Sequence, residues 1–69
     1  MNKHEQIIEI HTSLVNGNRN QMIKQIEEYG LYDFWDDYSD YLQESYVTKE
    51  SQYIYFKDAT VSYFRITTR

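Results

Sequence analysis

Apolar residues recur at helical spacing through the first two thirds of the chain. The first such stripe consists of Ile7, Ile10 and Leu14. Residues three and four positions apart share one face of an amphipathic helix. Asn2 followed by Glu5 resembles a capping box at its start. Asn16-Gly17 ends it, because glycine adopts the left-handed conformation that follows a helix at no steric cost. The pattern predicts a first helix between these signals.

A second helix is predicted between the only two glycines of the chain, Gly17 and Gly30. Its apolar stripe is Met22, Ile23, Ile26 and Tyr29. Asn18 is in position to cap it, with Gln21 three residues further on. Two helices joined by two or three residues pack as an antiparallel hairpin.

A third helix is predicted from Leu31 or Asp33 to Glu44, with aromatic and acidic residues on different sides. The aromatic stripe is Phe34, Trp35, Tyr38, Tyr41 and Leu42. The acidic column is Asp33, Asp37, Asp40 and Glu44, with Asp36 beside it. Like charges four residues apart destabilise a helix by a few tenths of a kcal/mol per pair. The aromatic side must compensate for that repulsion.

The last third of the chain is dense in aromatic and β-branched residues. QYIYFK (52–57) and TVSYFRIT (60–67) predict two strands joined by a turn near 57–60, after a connector with room for a short strand at 46–48. A hairpin alone is marginal in water, so it is expected to pack on the helices. Its register stays open. The predicted fold class is α+β: three short helices followed by a C-terminal antiparallel β-hairpin.

Register decides which hairpin side chains point outward. A two-residue turn makes both faces strongly apolar. A three-residue connection, which we favour, separates an inner from an outer face. It points Ile54, Phe56, Phe64 and Ile66 inward and Tyr53, Tyr55, Tyr63 and Arg65 outward. A slip of one residue reverses every side chain.

Length and composition limit the classes of protein. The 69 residues predict a single compact domain over 1–69, and 41% of them are hydrophobic, which exceeds a disordered composition. There is no Cys, so disulfides and thiolate zinc sites are excluded. His4 and His11 share a helix face, but two ligands make no zinc site. Without a catalytic constellation, cofactor motif, signal peptide or membrane span, we expect a non-enzymatic cytoplasmic protein.

Charge is unevenly distributed within the net −4. Residues 1–30 carry −1, residues 31–50 carry −5 and residues 51–69 carry +2. Duplex DNA binding needs a broad basic footprint, so nucleic acid is not the expected partner. A basic protein surface suits the middle segment.

The third helix supplies the main candidate site. Its partner-binding set is Asp33, Asp36, Asp37, Asp40, Glu44, Tyr38 and Tyr41. The alternative is an ordinary solvated helix face with a packed aromatic side. Carboxylates four residues apart lie about 6 Å apart along the axis. Phosphates of one DNA strand repeat about every 3.4 Å, so the column can imitate alternate phosphates.

Two other surfaces are candidates. Tyr53, Tyr55, Tyr63 and Arg65, with Arg69, resemble a platform on which single-stranded nucleic acid stacks. That alternative makes the protein a small nucleic-acid-binding regulator, although cross-strand aromatic pairing explains the same residues. Exposed tyrosines could also join two copies into a homodimer.

Residues 16–42, NGNRNQMIKQIEEYGLYDFWDDYSDYL, carry a family resemblance. A helix that ends in Tyr-Gly and leads into an aromatic-acidic helix resembles small uncharacterised proteins of phages and mobile elements of Gram-positive bacteria. The resemblance implies an accessory protein that binds and inhibits or redirects a host or defence protein. It supplies no functional residues.

Overall fold

Four helices and short connections make up the described chain. The computed structural model describes residues 2–45 and 47–67. The helices are α1 (Lys3–Val15), α2 (Arg19–Tyr29), α3 (Leu31–Glu44) and α4 (Lys49–Thr67). The three helices predicted for the first two thirds are confirmed. Within 2–45 and 47–67 there is no β-strand.

The glycines and the first cap act as predicted. Oδ1 of Asn2 accepts a hydrogen bond of 2.8 Å from the backbone N–H of Glu5, which satisfies a free donor at the start of α1. Gly17 has φ +79° and Gly30 has φ +113°, values that strain residues with a Cβ. Asn18 stands at the N-cap position of α2, as predicted, but its side chain makes no capping hydrogen bond.

The core lies where the four helices meet. Its buried apolar residues are Ile7, Ile10, Leu14, Met22, Ile23, Ile26, Tyr29, Phe34, Tyr38, Leu42, Ala59 and Tyr63. The first three helices supply most of these residues.

Helices α1 and α2 run antiparallel, as predicted. Ser13 Oγ donates to Oε1 of Gln25 at 2.8 Å, while at the other end Nζ of Lys3 lies 4.4 Å from the ring centroid of Tyr29.

The predicted β-hairpin is wrong, because its residues form the 19-residue helix α4. The α+β class is wrong with it, and the described chain is all-helical. No Gly, Pro or Asn follows residue 48, so the segment lacks the Asn-Gly or Asp-Gly pair that favours a two-residue hairpin turn. Thr48 starts the helix instead: its Oγ1 accepts from the backbone N–H of Ser51 at 3.1 Å. The suggested strand at 46–48 includes Tyr46, which lies outside the described residues.

Small residues let α4 lie close to the other helices. Ala59 is fully buried and Ser62 is nearly so. Nε of Arg19 in α2 donates to Oγ of Ser62 at 2.9 Å. Tyr55 and Phe56 pack at the edge of the core, and Tyr63 lies inside it. This inner stripe has helical spacing, but its small members Ala59 and Ser62 mark it less clearly in the sequence than large apolar side chains would.

None of the helices in the described part of the chain is both long and apolar enough to cross a bilayer.

Candidate functional site

One side of α3 is made of carboxylates. They are Asp33, Asp36, Asp37, Asp40 and Glu44. At 3.6 residues per turn these positions fall within roughly 100° of the helix circumference. All are exposed except Asp37, which is half-buried. Helix α3 contains no Lys or Arg, so this acidic face carries five negative charges without compensation from its own helix.

Two contacts from neighbouring helices reach the acidic face. Nζ of Lys3 lies 3.5 Å from Oδ2 of Asp33, and both side chains are exposed, so this ion pair adds at most about 1 kcal/mol. The hydroxyl of Tyr29 donates to Oδ2 of Asp37 at 2.5 Å. Burial and this bond to a carboxylate raise the pKa of Tyr29, which keeps the donor proton in place. The fold therefore fixes Asp37 in position.

The other carboxylates have no such anchor. Within residues 2–45 and 47–67, no hydrogen bond or ion pair engages the side chains of Asp36, Asp40 or Glu44. Water solvates them in the isolated chain. Cations of a partner can replace that water without breaking a contact inside the protein.

A groove runs beside the acidic face, between it and the first turn of α1. Its volume is about 210 Å³. His4 and Tyr41 form part of its wall, with ring centroids 6.3 Å apart, and Asp40 and Glu44 lie on the α3 side. Lys3 also lines the groove, and its Nζ is engaged with Asp33 and the ring of Tyr29. Beside Asp40 and Glu44, the aromatic wall suits the long side chain of a partner's Lys or Arg, whose stem is apolar and whose head is charged.

The structure divides the two tyrosines predicted to bind a partner. Tyr41 is half-exposed and lines the groove, so it is accessible. Tyr38 is fully buried and therefore presents no surface to a partner. Its hydroxyl is hydrogen-bonded to Nδ1 of His11 at 2.7 Å, and its ring stacks on Phe34 at 5.1 Å between centroids. Tyr38 belongs to the core.

His11 is enclosed by tyrosine rings. Its ring centroid lies 5.8 Å from that of Tyr38, 5.6 Å from that of Tyr41 and 5.0 Å from that of Tyr55. Desolvation by this burial lowers the pKa of His11 below 6.5, because the charged imidazolium loses water. The sequence gave no sign of the partners of His11, which come from α3 and α4.

Stability is expected to fall with pH below about 6.5. The lowered pKa means that the unfolded chain binds the His11 proton more readily than the folded chain. The contribution of neutral His11 to the free energy of unfolding is complete above pH 6.5. It is lost as the pH falls toward the lower pKa that His11 has in the folded chain. The urea midpoint should therefore be lower at pH 5.5 than at pH 7.5, and His11→Asn should shrink that difference. His4→Gln, at an exposed position on the same helix, is the control. An undiminished difference in His11→Asn contradicts the assignment.

The nucleic-acid platform loses its basis with the hairpin. On a helix, Tyr53, Tyr55, Tyr63 and Arg65 point in different directions around the axis. Tyr53 and Arg65 are exposed, Tyr55 is half-buried and Tyr63 is buried in the core. They form no common stacking surface. Arg69 lies outside the described residues.

Sequence reasoning missed a surface on α4. Ile54, Lys57, Val61 and Phe64 are exposed and alternate at spacings of three and four. That spacing was available in the sequence as a coiled-coil signal. The strand prediction for the same residues concealed it.

The described residues contain no cluster of three His, Cys, Asp or Glu side chains arranged to hold a metal ion. Comparison of the chain with protein-family models, with curated proteins and with solved structures gave no match, so its function has to be inferred from its own residues.

Proposed function

We propose that the chain is a small non-enzymatic binding protein that engages a basic protein surface through the acidic face of α3. Binding would inhibit or modulate that partner. The observation that carries the proposal is five carboxylates on one side of a helix that has no basic residue. Folding does not require this arrangement, since repulsion between neighbouring carboxylates costs stability.

The groove beside Tyr41 supports a protein partner. It offers an aromatic wall next to Asp40 and Glu44, and thus suits an inserted Lys or Arg side chain. Arginine is enriched in protein interfaces and binds carboxylates with two parallel hydrogen bonds. A partner that normally holds DNA phosphates has such side chains, and the carboxylate column would then act as a nucleic-acid mimic.

The biological setting follows from the resemblance of residues 16–42. On that resemblance we infer a protein of a phage or mobile element that would act in the cytoplasm of the host cell on a host or defence protein. A nucleic-acid-binding role is not proposed, because the aromatic platform on which it depended does not form.

The test compares three baits in extracts of a Gram-positive host, with captured proteins quantified by mass spectrometry. They are the wild type, the double variant Asp36→Lys with Asp40→Lys, and the control Glu9→Lys with Glu27→Lys. The two variants change net charge equally, at exposed positions. Asp37 is left intact because it holds Tyr29.

We expect a protein that the wild type and the control capture and the Asp36/Asp40 variant does not. Its recovery should fall as ionic strength rises, because salt screens exposed charges. If that protein is released by duplex DNA, the acidic face acts as a mimic of DNA. Equal capture by all three baits at every salt concentration contradicts the proposal.

A further inference from the structure

The outer face of α4 is apolar, although its inner face already packs on the core. The exposed fractions are 66% for Tyr53, 54% for Ile54, 41% for Val61 and 50% for Phe64. A helix that is apolar on both sides is expected to be covered on both sides. The described chain covers only one of them.

The spacing along this face is that of a helix-pairing seam. Ile54, Lys57, Val61 and Phe64 follow one another at intervals of three, four and three residues, the alternation by which two helices pack along a coiled-coil seam. β-Branched residues occupy two of these positions. The charged one, Lys57, places its Nζ 5.8 Å from the ring centroid of Tyr53.

We propose that a second copy of this chain covers the outer face of α4, with the two α4 helices antiparallel about a two-fold axis. The two ends of the seam carry opposite charges, which are complementary between two antiparallel copies. Glu50 lies in the first turn of α4 and Arg65 in the last, and both are exposed. In an antiparallel pair, Glu50 of each copy is level with Arg65 of the other. A parallel pair would set Glu50 against Glu50 and Arg65 against Arg65.

The same axis aligns the apolar residues. It passes between Lys57 and Asp58, midway from Glu50 to Arg65 along the helix. Ile54 and Val61 are equally distant from this point, so Ile54 of one copy meets Val61 of the other. Lys57 of each copy lies near the axis, level with Asp58 of the other, and its charge interrupts the apolar seam.

The dimer is expected to be weak and reversible. A helix of 19 residues is about 28 Å long, and one pair of such helices falls at the low end of interface sizes. We expect a dissociation constant in the micromolar range. The inference concerns α4 alone, so it can fail while the proposed role of α3 stands.

The experiment is sedimentation equilibrium across micromolar concentrations, with charge-reversed chains. Glu50→Lys sets Lys against Arg65, and Arg65→Glu sets Glu against Glu50. Each single variant should dimerise about tenfold more weakly, because two symmetry-related exposed pairs become repulsive. A one-to-one mixture of the two variants should recover the wild-type affinity, since every end of the heterodimer then pairs opposite charges.

A gain-of-affinity variant keeps the test decisive if the reversed charges disturb the ends of α4. Lys57→Leu makes the seam continuously apolar near the axis and should tighten the dimer at least tenfold. The proposal is overturned if the wild type and Lys57→Leu both stay monomeric throughout. It is also overturned if the mixture dimerises no better than the single variants, or if none of the three substitutions changes the dissociation constant of the dimer.

Discussion

Replacing Ala59 by proline is expected to unfold the domain. Ala59 is fully buried at mid-helix in α4. Proline there removes a backbone donor and clashes with the carbonyl of Tyr55, at a cost of about 3 kcal/mol or more. Its larger ring must also enter a filled site. A chain of this length has a total stability of roughly 5 kcal/mol, so little would remain.

Far-UV circular dichroism with thermal melting measures this effect. Lys49→Pro is the matched control, because Lys49 is the first residue of α4, where proline is tolerated. We expect the control to melt close to the wild type and Ala59→Pro to lack a cooperative transition. Wild-type melting of Ala59→Pro would therefore contradict the helical assignment.

Replacing Tyr38 by alanine is expected to cost about 3–5 kcal/mol, the range for large aromatic side chains removed from a core. The ring stacks on Phe34, and the hydroxyl is hydrogen-bonded to His11. Truncation removes the ring that stacks on Phe34 and leaves Nδ1 of His11 without its hydrogen-bond partner. We expect Tyr38→Ala to be largely unfolded in urea titrations monitored by tryptophan fluorescence, since Trp35 packs against the core.

Two further variants separate packing from surface effects. Tyr38→Phe keeps the ring and loses only the bond to His11, so it should cost about 1 kcal/mol. Tyr41→Ala, at the half-exposed groove position, should leave the domain folded. If Tyr38→Ala kept wild-type stability and lost only the capture of its partner protein, Tyr38 would be a surface residue and its assignment to the core would be wrong.

Local signals explain why the first three helices could be predicted. The φ values of +79° and +113° at Gly17 and Gly30 are accessible to glycine, and the only glycines of the chain stand at those points. Asn2 caps α1 through a bond to a residue three positions away. Such contacts lie within a few residues, so sequence spacing alone reveals them. Asn18 occupies an equally suitable place but makes no side-chain bond, because position alone does not fix a rotamer.

Helix α4 could not be predicted from β-propensity. Tyr, Ile, Phe and Val favour strands mainly by packing on a pleated surface, and tertiary contacts override that preference. The deciding features here are the Thr48 cap, the missing turn residues and a buried stripe that includes Ala59 and Ser62. Because the outer face of α4 is also apolar, the sequence shows no helical alternation of apolar and polar positions. Under the proposed dimer, these outer apolar residues are the contact surface for the second copy.

For the acidic-aromatic helix α3, too, local periodicity predicted some features and tertiary packing decided the others. Helical periodicity correctly separated the exposed carboxylates from Phe34 and Leu42. It could not distinguish Tyr38 from Tyr41, because burial at the edge of a stripe depends on what packs there. The hydrogen bond from Tyr29 to Asp37 joins α2 to α3 across Gly30. It could be recognised only from the three-dimensional structure. The role of the carboxylates as a binding surface stays a prediction.

The most direct measurement of that role is an NMR titration of the protein with hexalysine, which presents a basic partner in its simplest form. We predict that the perturbed backbone amides cluster at Asp36, Asp40 and Glu44, and that the shifts disappear in high salt. Equal perturbation around Glu9, Glu27 and the acidic face would show only a general attraction between opposite charges. That result would contradict a binding surface on α3.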